Sequence, residues 1–141
     1  MDLNEIYNNI KTYALNTQGV ESATIGQVYT IWNSLNMRYG AFNAILNYVT
    51  YADNNAELHF TFYYGDKVAN DSSNIFDIQT TGFHVMRNVI QHLIDEYDMD
   101  GFDDLQIYPY TQKFADILAG TYCDVTIYVP IDYCFNYDKE D

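Results

Sequence analysis

Three histidines, two cysteines and twenty acidic residues are the groups in this 141-residue chain that could bind a metal, attack a substrate or move a proton. His84 and His92 fall on one predicted helix but eight positions apart, too far for the adjacent-turn spacing with which a HExxH pair holds zinc. His59 stands alone in a strand-like run, and Cys123 and Cys134 form neither a CxxC pair nor a zinc pattern. Cys123 alternates with apolar strand positions, so it reads as a small buried hydrophobe rather than a nucleophile. The stretch "EYDMDGFDDLQI", beginning at Glu96, can be laid on a calcium loop with Gly101 at the sharp turn. Glu96, Asp98 and Asp100 then take the first, third and fifth positions. The twelfth is Ile107, where a bidentate glutamate is required, and a strand follows instead of a second helix. A solvated acidic turn is the better reading. No GxxxxGK[ST], GxGxxG or GxSxG occurs, and Ser72 and Ser73 have no motif-placed base. The sequence therefore predicts no catalytic, cofactor-binding or metal-binding residues, and no enzyme.

Composition narrows the classes further. At 48% hydrophobic with two prolines, the chain can form one domain with a full core. Residues 1–135 are read as a single domain and 136–141 as an acidic, flexible tail. Six basic residues against twenty acidic ones give a net charge of −14, which repels phosphate and argues against a sequence-specific grip on nucleic acid. No apolar run approaches the roughly 20 residues that span a bilayer, so no membrane partner is expected. The opening "MDLNEIYNN" shows no basic n-region or apolar h-region, and a cytoplasmic site of synthesis is expected.

The elements that must position any site follow from periodicity. Leu3, Ile6, Tyr7, Ile10, Tyr13 and Ala14 recur at helical spacing, with Asp2 and Glu5 as a capping pair and Gly19 as the stop. Residues 20–32 hold one strand, or two short ones about Gly26. "NSLNMRYG" reads as an ordered loop in which Met37 and Tyr39 can pack. Leu58, Phe60, Phe62 and Tyr64 alternate with Glu57, His59, Thr61 and Tyr63. Ile45, Val49 and Tyr51 are expected to share a face in the run before them, broken by Asn47, and Asp53-Asn54-Asn55 joins the two as a hairpin. From Asn74 the period becomes helical: Phe83, Met86, Val89, Ile90, Leu93, Ile94 and Tyr97 form the core stripe, with Ser73 or Asn74 as cap. Two strands finish the domain. "DLQIYPY" ends at Pro109 or soon after. In "GTYCDVTIYVP", Cys123, Val125, Ile127 and Val129 face the core, and Tyr122, Asp124, Thr126 and Tyr128 face away. The expected fold is α+β: an antiparallel or mixed sheet of four to five strands with two helices on one face, in the order α-β-β-(β)-α-β-β.

Fifteen tyrosines are the compositional oddity. Tyrosine suits surfaces packed on one side and wet or partnered on the other. Tyr63, Tyr122 and Tyr128 fall on the sheet face away from the core, where a partner or the chain's own loops would cover them.

The stretches "FYYGDKVANDSSNIFDIQTTGFHVMRNVI" and "PYTQKFADILAGTYCDVTIYVP" resemble tail and connector structural proteins of crAss-like bacteriophages. The matching elements are Tyr64-Gly65-Asp66-Lys67, the Asp71-Ser72-Ser73-Asn74 turn, Ile78-Gln79 with Gly82, Thr111-Gln112-Lys113-Phe114-Ala115-Asp116, and Ala119-Gly120 leading to Cys134. "QVYTIWNSLNMRYGAFNAILNYV" resembles their first half. The order of elements is also similar to that of tail-terminator proteins. The resemblance implies a virion protein in the tail or head–tail connector, made in the bacterial cytoplasm. Its partners would be copies of itself in a closed ring and neighbouring tail, portal or connector proteins. A closed ring needs two different complementary patches on each subunit. The interface residues expected are Tyr63, Asp66, Lys67, Asp71, Tyr110, Lys113, Phe114, Asp116, Tyr122 and Tyr128. The competing expectation, from charge alone, is a small acidic DNA mimic or inhibitor aimed at a host nucleic-acid enzyme.

Overall fold

The computed structural model describes residues 3–26, 40–113 and 117–130. Asp2, the loop holding Met37 and Tyr39, Phe114, Asp116, Cys134 and the predicted acidic tail lie outside these residues. The order is α1 (Leu3–Leu15), β1 (Ser22–Ile25), β2 (Ala41–Ala52), β3 (Asn55–Lys67), α2 (Ile75–Glu96), β4 (Asp98–Met99), a 3-10 turn (Phe102–Asp104), β5 (Ile107–Lys113) and β6 (Ile117–Pro130). The six strands form one mixed sheet in the order β1-β2-β3-β6, with β5 and β4 sharing the far edge of β6. Among the described residues only the β1–β2 pair is parallel. The class is the α+β one expected, with six strands instead of four to five. The extra pairing is β4, whose two residues align with Tyr128 and Ile127. Two residues are too few to show a period in sequence.

Both helices lay their apolar stripes on the same side of the sheet. Ile6, Ile10 and Ala14 of α1 and Val85, Met86, Val89, Ile90 and Leu93 of α2 are buried with Leu58, Phe60, Phe62 and Tyr64 of β3. On β6 the buried set is Cys123, Val125, Ile127 and Val129, as the alternation predicts. Tyr7 meets Phe60 edge-on at 6.2 Å. The Cys123 thiol points to the Met86 sulfur at 3.8 Å. Burial, with the nearby Asp124 charge, pushes its pKa up to about 12, so the thiol stays protonated as its apolar site requires.

The β2–β3 hairpin closes through Asp53 (φ 52°) and Asn54 (φ 65°), with Ala52 opposite Asn55. Positive φ at both central residues is what a two-residue type I′ turn requires, and Asp and Asn tolerate it. One expectation about β2 fails. Asn47 is an extra residue between the pairs Leu46–Phe60 and Tyr48–His59. A bulge of this kind reverses which side chains face the core. Ile45 therefore pairs with Thr61 on the open face, while Leu46 and Val49 pack toward the core.

Three other local expectations are corrected. Asn74 occupies the N-cap of α2 without a capping bond. Its side chain instead accepts from the Ala69 N–H (2.7 Å) and donates to the Lys67 carbonyl (3.2 Å), which ties down the β3–α2 loop. Phe83, assigned to the core stripe, is exposed. Gly82 takes the inward position beside it, because a Cβ there would lie 2.5 Å from Thr121 Oγ1 on β6. The strand β5 does not end at Pro109 but runs on to Lys113. It pairs only with β6, and an edge strand tolerates the missing N–H on its outer side.

Candidate functional site

Among the described residues the second face of the sheet carries no helix, and it is built from the alternate residues of β2, β3, β5 and β6. At one level a row of tyrosines crosses three strands. Register places Tyr63 opposite Tyr122 and Tyr122 opposite Tyr108. Their rings stack with centroids 5.9 Å apart for Tyr63–Tyr122 and 5.2 Å for Tyr108–Tyr122. Tyr110 closes the group, 6.5 Å from Tyr63 and 6.2 Å from Tyr122.

Glycine makes this cluster possible. Gly65 and Gly120 sit opposite one another, so the two backbones meet without side chains. A Cβ on Gly120 would lie 1.7 Å from the Tyr64 carbonyl oxygen. That same carbonyl accepts a 3.0 Å bond from the Tyr110 hydroxyl. Burial, with the neighbouring Tyr63 and Tyr64 phenols, drives the Tyr110 pKa upward. Tyr64, on the core side, donates to the Gly19 carbonyl at 3.0 Å, and burial raises its pKa as well. Tyr108 remains 40% exposed and Tyr122 half-buried, so the row is anchored at one end and open at the other.

Along the same face lies a polar network. Asn47 donates to Thr61 (2.7 Å), and Thr61 donates to Asp124 (2.6 Å). Thr50 donates to Glu57 at 2.9 Å and lies 2.9 Å from His59 Nε2, while Thr126 lies 3.1 Å from His59 Nδ1. The Thr50 hydrogen is used on Glu57, so Nε2–H donates to Thr50 and Nδ1 accepts from Thr126. Tyr48, 57% exposed, stacks on the imidazole at 4.2 Å. Hydroxyl, imidazole and carboxylate stand in the order of a nucleophile relay. Here, however, each group is spent holding β2, β3 and β6 in register on an open surface. The Glu57 carboxylate reaches His59 Nε2 only at 3.6 Å.

The structure brings together some of the residues singled out from sequence. Tyr63, Tyr110 and Tyr122 form the cluster above. Asp66 and Lys67 close β3 at the same end of the sheet, with Lys67 opposite Leu118 and Lys113 opposite Ile117 on the other side of β6. The Asp66 carboxylate accepts from the Lys67 backbone N–H at 2.8 Å. Asp71 is exposed in the β3–α2 loop and accepts from the Ser73 N–H at 3.1 Å. Bonds from the Ser73 hydroxyl and backbone lower its pKa. Tyr128 stands apart, six residues along β6 from Tyr122, with its hydroxyl 3.4 Å from Asp100. Burial and the charges of Asp100 and Glu57 raise its pKa. Phe114 and Asp116 fall outside the described residues.

Tyr108 and Tyr48 were missed. Alternation puts Tyr108 on one face with Tyr110, and Tyr48 on the face opposite Val49, but the neighbours that make them part of this surface, Tyr122 and His59, follow only from the register of β5 on β6 and of β2 on β3. Among the described residues no group of three or more His, Cys, Asp or Glu side chains could hold a metal ion, and no helix is long and apolar enough to cross a membrane. No protein-family model matches the chain, and no curated protein matches its sequence.

Proposed function

We propose that this chain is a structural subunit of a bacteriophage tail or head–tail connector, which assembles with copies of itself into a closed ring around the DNA channel. It acts by docking, without catalysis or cofactor, in a virion whose neighbouring tail, portal or connector proteins cover its open sheet face. The observation that supports this best is the tyrosine row of Tyr63, Tyr108 and Tyr122, stacked across three strands and left partly exposed on a domain whose core is already closed by the two helices. Large, pre-ordered aromatic side chains with a polar tip lose little entropy on binding and are enriched at interfaces. The net charge of −14 fits a passage along which DNA slides without adhering. The likeness of the Tyr64–Lys67 and Thr111–Asp116 segments to crAss-like phage tail proteins points the same way.

Quantitative mass spectrometry of purified particles, with the major capsid protein as internal standard, tests this reading. A small fixed copy number is expected, roughly 6 or 12 for closed rings. Absence from particles would overturn it.

A second reading, an acidic inhibitor of a host nucleic-acid enzyme, draws on one observation. Asp95, Glu96, Asp98, Asp100, Asp103 and Asp104 are all exposed at one end of the molecule. That reading requires strongly salt-dependent capture of a basic host enzyme, and becomes the one to pursue if particles lack the chain.

A further inference from the structure

On the helical side of the molecule, away from the tyrosines, a cleft of about 740 Å³ opens between α2 and the loop after α1. Thr17, Gln18 and Gly19 form one wall, and Thr81, His84, Arg87, Asn88 and Gln91 the other. The floor is fixed. Asn88 donates to the Thr17 hydroxyl at 2.9 Å, and that hydroxyl donates to the Tyr13 carbonyl at 2.8 Å. No carboxylate lines this cleft among the described residues, although the chain carries twenty acids against six bases. Its one permanent charge is the guanidinium of exposed Arg87.

The outward row of α2 that leads to Arg87 is also unusual. Phe76 is 81% exposed and Phe83 lies two turns further on, also exposed. Positions 76, 83 and 87 share one helix face, being seven and four residues apart. Aromatic rings beside an arginine are the composition of an interface centre, not of a solvated helix face.

A complementary feature lies at the other end of α2. Asp103 and Asp104 are exposed on the 3-10 turn Phe102–Asp104, which Leu105 closes by donating to the Phe102 carbonyl at 3.1 Å. They stand among four further exposed carboxylates, of which Asp95 and Glu96 lie in the last turn of α2, at the negative end of its dipole where such charges are unfavourable.

We infer that the cleft at Arg87 receives the Asp103–Asp104 turn of a second copy of this chain, with Phe76 and Phe83 as the apolar flank of the contact. The two patches differ, so the contact is head-to-tail and propagates around a ring instead of closing a two-fold dimer. Charge complementarity selects this occupant: an acid-free, arginine-bearing cleft meets the acidic Asp103–Asp104 turn, which fixes register and orientation. Arginine suits the task because its planar fork can hold two carboxylate oxygens at once. The inference rests on the ring reading above and names its lateral contact, leaving the tyrosine face for the adjoining tier.

Sedimentation velocity of the whole chain, from micromolar to about 1 mM, tests it through a charge swap. Wild type should self-associate. Arg87→Glu alone, or Asp103→Arg with Asp104→Arg, should weaken association at least about tenfold, and the chain carrying all three changes should regain it. Phe76→Ser, at an exposed site whose loss leaves the core intact, should also weaken association, with the circular dichroism spectrum unchanged. Singly swapped chains that associate like wild type, or a combined variant no better than either, would overturn the contact. A wild-type chain that stays monomeric throughout would overturn it too. The copy number in particles is measured independently, so failure of this contact and failure of the ring reading remain distinguishable.

Discussion

The two faces of β3 use the same backbone for opposite ends. Leu58, Phe60, Phe62 and Tyr64 are sealed beneath the helices, while Glu57, His59 and Tyr63, which alternate with them, stay half-exposed and are held by bonds and stacking across strands. The covered face derives its stability from burial, which is non-directional and tolerates a change of residue better than a change of volume. The open face derives its order from aligned pairs, each worth only about 0.2–1 kcal/mol. Such a face adds little to folding. Under the docking role proposed above, it presents rigid aromatic surface at low entropic cost.

This contrast is broken most severely by paired truncation. Phe62→Ala removes a fully buried ring and should cost about 3–5 kcal/mol in urea unfolding. Tyr63→Ala, next to it in sequence, should cost about 1 kcal/mol or less. Equal costs would mean that the open face is structural core in disguise.

Next in size is Gly120→Ala. The added methyl would meet the Tyr64 carbonyl at 1.7 Å, and backbone cannot swing aside as a side chain can. A loss of about 1–3 kcal/mol is expected, with faster amide exchange confined to the β3–β6 and β5–β6 ladders. Unaltered exchange there would show that the strands approach less closely than described.

A smaller effect of opposite sign is expected at Thr121. Its hydroxyl is buried against Gly82 without a hydrogen-bond partner among the described residues, so Thr121→Val should stabilise the fold by about 1 kcal/mol. A loss of stability would reveal a bond to that hydroxyl.

How much of this was legible in the sequence depended on whether a local rule was left intact. The core residues of β3, β6 and α1 were readable because strict alternation and helical spacing each leave one continuous face. The assignments that failed lie where a single residue offsets the period. Asn47 inserts one residue and turns Ile45 to the open face, and Gly82 takes the inward position next to Phe83 because α2 approaches β6 closely there. Pro109 read as a stop only because strand order, and hence the tolerance of an edge, is not visible in sequence. For the site, Tyr63 and Tyr122 were identifiable from alternation. That they stack with each other and with Tyr108 depends on register across strands far apart in the chain. The Arg87 cleft was invisible for the same reason: its two walls are more than sixty residues apart.

The smallest effects are titrations that separate sealed groups from open ones. The pKa of Tyr64 and of Tyr110 is raised above the ordinary value near 10. Their contribution to stability is therefore fully present below pH ~10 and is lost as pH rises from there through the raised values. Absorbance at 295 nm should show these two phenols ionising only as the chain unfolds, after the exposed tyrosines. Cys123 follows the same sign, and with its pKa near 12 iodoacetamide at pH ~8 should leave it unlabelled in the folded chain. Labelling of Cys123 under native conditions would place it outside the core.

The central claim is that the open face exists to be covered by another protein. Hydroxyl-radical footprinting, read by mass spectrometry on the free chain and on intact particles, tests it most directly. Tyr48, Tyr108 and Tyr122 should be oxidised in the free chain and strongly protected in the particle, with Phe60 and Phe62 silent in both. Equal oxidation of those tyrosines in the two states would contradict the account.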